Sequence, residues 1–129
     1  MEFTERPQGK RKIFAAYLPR GENRFLKLTI QHRDGGHNPF CNTNEARGTE
    51  LMLTMVTRSI ESGVTFESMD LGAPTNARIH LETRARYSEN SLRAAAAALE
   101  PLIATIGELW PDDKQGVLRL TQRVFAPAA

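Results

Sequence analysis

Four side chains of metal-ligand or acid–base type fall close together in this chain: His32, Asp34, His37 and Cys41. All four are legitimate zinc ligands, but structural zinc sites bring their ligands in two short pairs, and the spacing H-x-D-x-x-H-x-x-x-C does not. The ordinary alternative is a polar turn with a cysteine half-buried at its base. They stand as weak metal candidates, and no cofactor is expected. Cys41 could also act as a nucleophile with His37 or His32 as its base, in a dyad assembled in space. It is the single cysteine of 129 residues, which rules out an intramolecular disulfide and a four-cysteine zinc site. No phosphate-binding loop, dinucleotide fingerprint, H-E-x-x-H or nucleophile elbow is present. A small Cys/His enzyme is therefore the third reading, and no catalytic residue is assigned.

A second set reads as a contact surface. Arg78, His80, Glu82, Arg84 and Arg86 alternate with Ile79, Leu81, Thr83, Ala85 and Tyr87. On a strand the first set shares one face at a repeat of about 6.5–7 Å, near the phosphate spacing of an extended single strand. Tyr87 falls on the opposite face and Glu82 weakens the positive row. An ordinary solvated face with cross-strand ion pairs produces the same pattern. Phe40 and Arg47 are the third candidate, as partner-touching residues of a polar loop; an aromatic there is either an interface anchor or a plug for the chain's own core.

These residues need a frame. Leu26, Leu28 and Ile30 alternate with Lys27, Thr29 and Gln31, the period of a strand with one buried face. Before it, Ile13–Leu18 reads as a strand joined by the turn Pro19–Asn23. After it, residues 34–48 form a long loop, beyond the usual length of about 4–6 residues. Asp34-Gly35-Gly36 and Asn38-Pro39 mark reversals there. Gly48 then opens a strand with Leu51, Leu53 and Met55 on one face and Met52, Thr54 and Val56 on the other, as a central strand covered twice would have. Ser62-Gly63 turns it into Val64–Met69, and residues 72–76 turn again toward the arginine row.

From Asn90 the period becomes helical. Leu92, Ala95, Ala96, Leu99, Leu102, Ile103, Ile106 and Trp110 lie on one side, with Ser88 or Asn90 as cap, Glu89 paired to Arg93, and a kink at Pro101. Gly116–Phe125 reads as a last strand on its valine and phenylalanine, a helix begun at Asp112 being the alternative. The sum is an α+β fold: an antiparallel sheet of five or six strands with one long, Pro-kinked helix on a face. Residues 1–11 read as a flexible basic arm, and 12–129 as a single domain.

Composition agrees with a packed protein: 40% hydrophobic, 25% charged. No apolar run approaches the ~20 residues of a membrane span, and MEFTERPQGKRK lacks a signal-peptide core. A soluble cytoplasmic protein with no membrane partner is expected. The net charge of +2 is too mild to imply nucleic acid by itself. Arginines outnumber lysines 13 to 4, which suits bidentate contact with phosphate or carboxylate and also follows from a GC-rich genome.

Finally, the strand from Phe25, then Gly35-Gly36-x-Asn38-x-Phe40, then Arg47-Gly48 opening a strand that ends at Arg58, resembles a segment of small uncharacterised proteins of phages and other mobile elements. This chain departs from it in carrying Thr49 and Glu50 where aromatics are expected. The resemblance implies a provenance and a β-rich fold, with no activity attached; the chain is expected not to be an enzyme. Such proteins commonly bind: the expected partners are a host protein or nucleoprotein complex, with the chain as an inhibitor of host defence, or nucleic acid directly. The two-sided strand after Gly48 makes a homodimer a further expectation.

Overall fold

The computed structural model describes residues 1–39, 42–70 and 76–125. Its sheet is antiparallel and built around one strand. Counting in chain order, β1 (Thr4–Gln8), β2 (Arg11–Gly21), β3 (Arg24–Arg33), β6 (Gly48–Glu61) and β7 (Val64–Met69) are neighbours in that sequence, and β8 (Ala77–Thr83) pairs with the first half of β6. β4 (Gly36–Asn38) and β5 (Thr43–Glu45) form a separate small hairpin. The stretch expected as an open loop is thus partly a β-ribbon, entered through Gly35 and Gly36, both at positive φ. Phe40, Cys41 and most of the turn at 72–76 lie outside the described residues.

β6 is the central strand that its two-sided apolar pattern requires. It pairs with β3 from Gly48 to Thr57, with β8 through its first half and with β7 through its second. On one sheet face, cross-strand neighbours such as Leu28–Leu53, Ile30–Leu51 and Leu51–Ile79 are fully or almost fully buried. The helices cover this face. α1 (Glu89–Leu99) starts at Ser88, whose hydroxyl accepts from the Ser91 N–H at 3.3 Å, and it packs on β2 and β3. At Pro101 the helix gives way to a 3₁₀ turn (Glu100–Leu102), after which α2 (Ile103–Leu109) continues. Gly107 presses against the Leu18 side chain, and the Arg20 guanidinium caps the α2 end by donating to the Gly107 and Trp110 carbonyls.

Two expectations about the helical half of the chain are corrected here. The helical region is not one long kinked helix but separate helices, because proline at 101 supplies no N–H for the α-pattern and the turn tightens around it. Residues 116–125 are helical too, within α3 (Lys114–Phe125). The Asp113 carboxylate accepts from the Gly116 N–H at 2.8 Å and starts α3, while Val117 and Thr121, four apart, are buried against the core. Helical spacing of the buried pair outweighs the strand preference of valine and phenylalanine.

The N-terminal segment is likewise an edge strand where a loose arm is expected. β1 pairs with β2 from Thr4–Ala15 to Gln8–Arg11. A charge cluster pins it: Glu5 meets Lys12 at 3.1 Å and Arg93 at 3.3 Å, and Glu89 meets Arg93 at 2.7 Å. Among the described residues no helix is long and apolar enough to cross a membrane.

One position tests how closely β6 and β8 approach. Gly48 has φ 152°, and a Cβ there would overlap the Glu82 carbonyl oxygen. Gly48→Ala is expected to destabilise the fold by about 2–3 kcal/mol through backbone strain and displaced pairing, read as a shift in the urea midpoint.

Candidate functional site

The face of the sheet away from the helices is where unexplained polar chemistry collects. The described helices pack on the Leu28/Leu51 face, yet Ala15, Thr29, Glu50, Thr54 and Val56 are buried on this one. The sheet's own curl covers them. Gln8 of β1 and Glu67 of β7, from opposite ends of the strand order, line one trough of about 180 Å³ with Lys27, Gln31 and Met52.

Tyr17, Lys27, Arg58 and Glu67 hold that curl closed. The Tyr17 hydroxyl donates to Glu67 Oε1 at 2.5 Å, and Lys27 Nζ meets Glu67 Oε2 at 2.7 Å. Arg58 Nε lies 3.6 Å from the same carboxylate, and the Arg58 guanidinium sits 4.2 Å from the Tyr17 ring centre. Arg6 and Lys27 approach that ring at 5.2 and 5.5 Å, and Phe25 meets it edge-on at 6.0 Å. Burial alone would raise the Glu67 carboxyl. Hydrogen bonds from Lys27 and Tyr17, with the charges of Lys27 and Arg58, outweigh it and hold the group below its ordinary value. Every member of this cluster is committed to another, which makes it a clasp between β2, β3, β6 and β7.

Glu50 is a second such point. Its side chain is 1% exposed in the middle of the sheet. Gln31 Nε2 donates to Oε1 at 2.8 Å, and Arg33 Nε and Arg78 Nε lie 3.3 and 3.5 Å from Oε2. Two guanidiniums around one buried carboxylate neutralise it and fix the β3–β6–β8 register.

The candidates drawn from residue type scatter across this frame. His32 is buried at the edge of the helix-side core, edge-on to Tyr87 at 5.9 Å, with Nε2 3.6 Å from Asp34. Asp34 is exposed and bound to Arg11 at 2.8 Å, and His37 is exposed beside Asn44. Among the described residues no group of three metal-ligand side chains gathers. Cys41 and Phe40 lie outside those residues. Arg47 is a clamp on β8: its guanidinium donates to the Arg84 carbonyl at 3.2 Å, and its own carbonyl accepts from the Arg84 N–H at 2.6 Å.

The arginine row is shorter than its alternation suggests. Arg78 and His80 share one exposed side of β8, but a bulge opposite Thr49/Glu50 sets Glu82 across from Thr49, the strand ends at Thr83 and Arg84 has φ 65°. Arg84 and Arg86 are exposed beyond that turn, outside the row. Arg78 reaches back to Glu50, so the even phosphate-spaced track is not formed.

What composition alone passes over is the β6–β7 hairpin. Four of the six large, exposed apolar side chains among the described residues lie on it: Ile60 (76% exposed), Val64, Phe66 and Met69. Next to them, Asn23, Phe25, Arg58, Ser59, Ile60 and Thr65 line an open depression of about 490 Å³. The available signal was a strand, VTFESM, with no arginine, lysine or proline to blunt its edge. Comparison with protein-family models, with curated proteins and with solved structures finds no match to this chain.

Two outcomes follow from the buried charges. Glu50→Ala leaves Arg33 and Arg78 facing each other and is expected to destabilise by about 2–4 kcal/mol in chemical denaturation, the low end reflecting the partial exposure of Arg78. Burial, then the charges of Arg11 and Arg47, push His32 below its ordinary value of 6.5, with Asp34 opposing. Its folded pKa is the lower one, so the unfolded chain takes up the proton first. The His32 contribution is therefore present above about pH 6.5 and lost as pH falls through the folded value. The urea midpoint should drop between pH 7.5 and 5.5, and His32→Gln should flatten that drop.

Proposed function

We propose that this chain is a non-enzymatic binding protein that engages a protein partner through the β6–β7 hairpin. The observation that carries this reading is the exposure of four large apolar side chains on one hairpin, Ile60 and Met69 on the face of Arg58 and its depression, Val64 and Phe66 on the other. Scattered exposed apolar residues are ordinary on any surface, whereas four concentrated on one hairpin, with a concavity beside Ile60, suit an interaction site. Phe25 and Ile60 offer apolar walls that suit an apolar anchor on a partner. The likeness of residues 25–58 to small mobile-element proteins makes a host protein or nucleoprotein complex in the host cytoplasm the partner class, with the chain as an accessory or inhibitor of host defence.

The direct nucleic-acid reading has less support. Its phosphate track breaks at the β8 bulge before Glu82 and again at Arg84, and Arg78 faces Glu50. Salt separates the two readings, since phosphate contacts release counterions and apolar burial does not.

The test is a pair of titrations of the purified chain. With labelled single-stranded DNA, duplex DNA and RNA at low and moderate salt, no saturable binding is expected. With a captured protein partner, Phe66→Asp and Ile60→Asp are each expected to weaken binding by about 30-fold or more, the size of a hot-spot loss, and Arg84→Glu with Arg86→Glu to leave it unchanged. Steeply salt-dependent nucleic-acid binding lost in the Arg84/Arg86 variant would overturn the proposal.

A further inference from the structure

The three outer edges of the main sheet are not alike. β1 carries Pro7, Glu5 and Arg6, and β8 carries Arg78, His80 and Glu82, features that discourage a further strand. β7 carries no proline, arginine, lysine or histidine. Its six residues are all exposed, and its one charge, Glu67, is turned inward to Lys27 and Tyr17. An open edge with β-branched and aromatic residues is a template for another strand.

The hairpin's geometry says which groups that strand would meet. Ser62 (φ 52°) and Gly63 (φ 79°) form a two-residue turn, so Glu61 and Val64 exchange the closing hydrogen bonds. From there the bonding alternates. Val64, Phe66 and Ser68 turn their backbone groups to β6, and Thr65, Glu67 and Met69 turn theirs outward. The Arg58 N–H donates to Asn23 on the β3 side and the Asp70 N–H to Met55, both in keeping with this alternation.

We infer that the partner strand is β7 of a second copy of this chain, paired antiparallel across a two-fold axis at Phe66. This rests on the reading that the hairpin is an interface, and it names the occupant. Outward-facing residues must oppose outward-facing residues, which leaves two registers with five strand residues overlapped. One sets Glu67 directly against Glu67 of the second copy, a like-charge pair that opposes association. The other sets Phe66 against Phe66, Val64 against Ser68 and the Thr65 hydroxyl beside the Glu67 carboxylate, with no like charges opposed. Phe66 then occupies a non-hydrogen-bonded pair, where side chains come closest and aromatic pairs contribute most. The interface is isologous and closes at two copies, and neither member keeps an open β7 edge.

The full-length chain tests this directly. Light scattering across micromolar to hundreds of micromolar should show a mass rising toward twice 14.4 kDa, and Phe66→Asp should hold it at 14.4 kDa with an unchanged far-UV circular dichroism spectrum. In a Cys41→Ser background, Phe66→Cys should form a disulfide-linked dimer under mild oxidation, because its Cβ atoms face each other within bridging reach. Glu67→Cys, diagonal to its mate at about 7–8 Å in this register, should not. A wild-type chain that stays monomeric, a dimer indifferent to Phe66→Asp, or cross-linking at 67 in place of 66 would each overturn the inference. A monomer that still loses a protein partner on Phe66→Asp sinks this inference alone. A monomer whose hairpin variants change no binding sinks the interface reading with it.

Discussion

The rest of the molecule depends on β6 being satisfied on all sides. Its backbone bonds to β3 along one edge and to β8 and then β7 along the other, and its two faces point into different environments. Leu51 and Leu53 anchor the helix-side core, while Glu50, Thr54 and Val56 are buried on the opposite side. A strand in that position cannot shift by one residue, because every side chain would change faces. The register it imposes decides which residues of the other strands meet.

Two polar arrangements follow from that register. At one end of β6, Glu50 draws Gln31, Arg33 and Arg78 to itself; further along, Arg58 joins Tyr17, Lys27 and Glu67. Each resembles a site on residue type alone, yet each is internally compensated, its charges spent on neighbouring strands. The consequence is a curled sheet whose concave side is a structural seam. The second half of β6 forms with β7 a hairpin carrying exposed apolar side chains on both faces.

Edges tell the same story in terms of hydrogen bonds. A sheet of this size has to end somewhere, and unpaired backbone groups there are a liability unless blunted by charge, proline or a cover. β1 and β8 are blunted. β7 is not, and its exposed Phe66 and Val64 are hard to reconcile with a purely solvated role. The contrast within one sheet gives the hairpin more weight than the exposure of any single residue.

Much of the fold was legible in the sequence by itself. The alternation in 26–31 and 51–56, the Ser62-Gly63 turn and the helical spacing from Leu92 to Trp110 are local signals, set by backbone period and turn chemistry, and they gave an antiparallel α+β arrangement with a central strand. What only the tertiary structure decided was partnership. Whether Arg78 meets phosphate or Glu50, whether Arg47 reaches outward or clamps Arg84, and whether the basic N-terminal segment is loose or held by Glu5, Lys12, Glu89 and Arg93 all depend on residues far apart in the chain. Alternation also ran past its physical limit at Arg84, since a positive φ turns the strand without leaving a mark on polarity. Gly116–Phe125 is helical for the same kind of reason: the Asp113 cap and the burial of Val117 with Thr121 outweigh β propensity, and burial is a property of the packed whole.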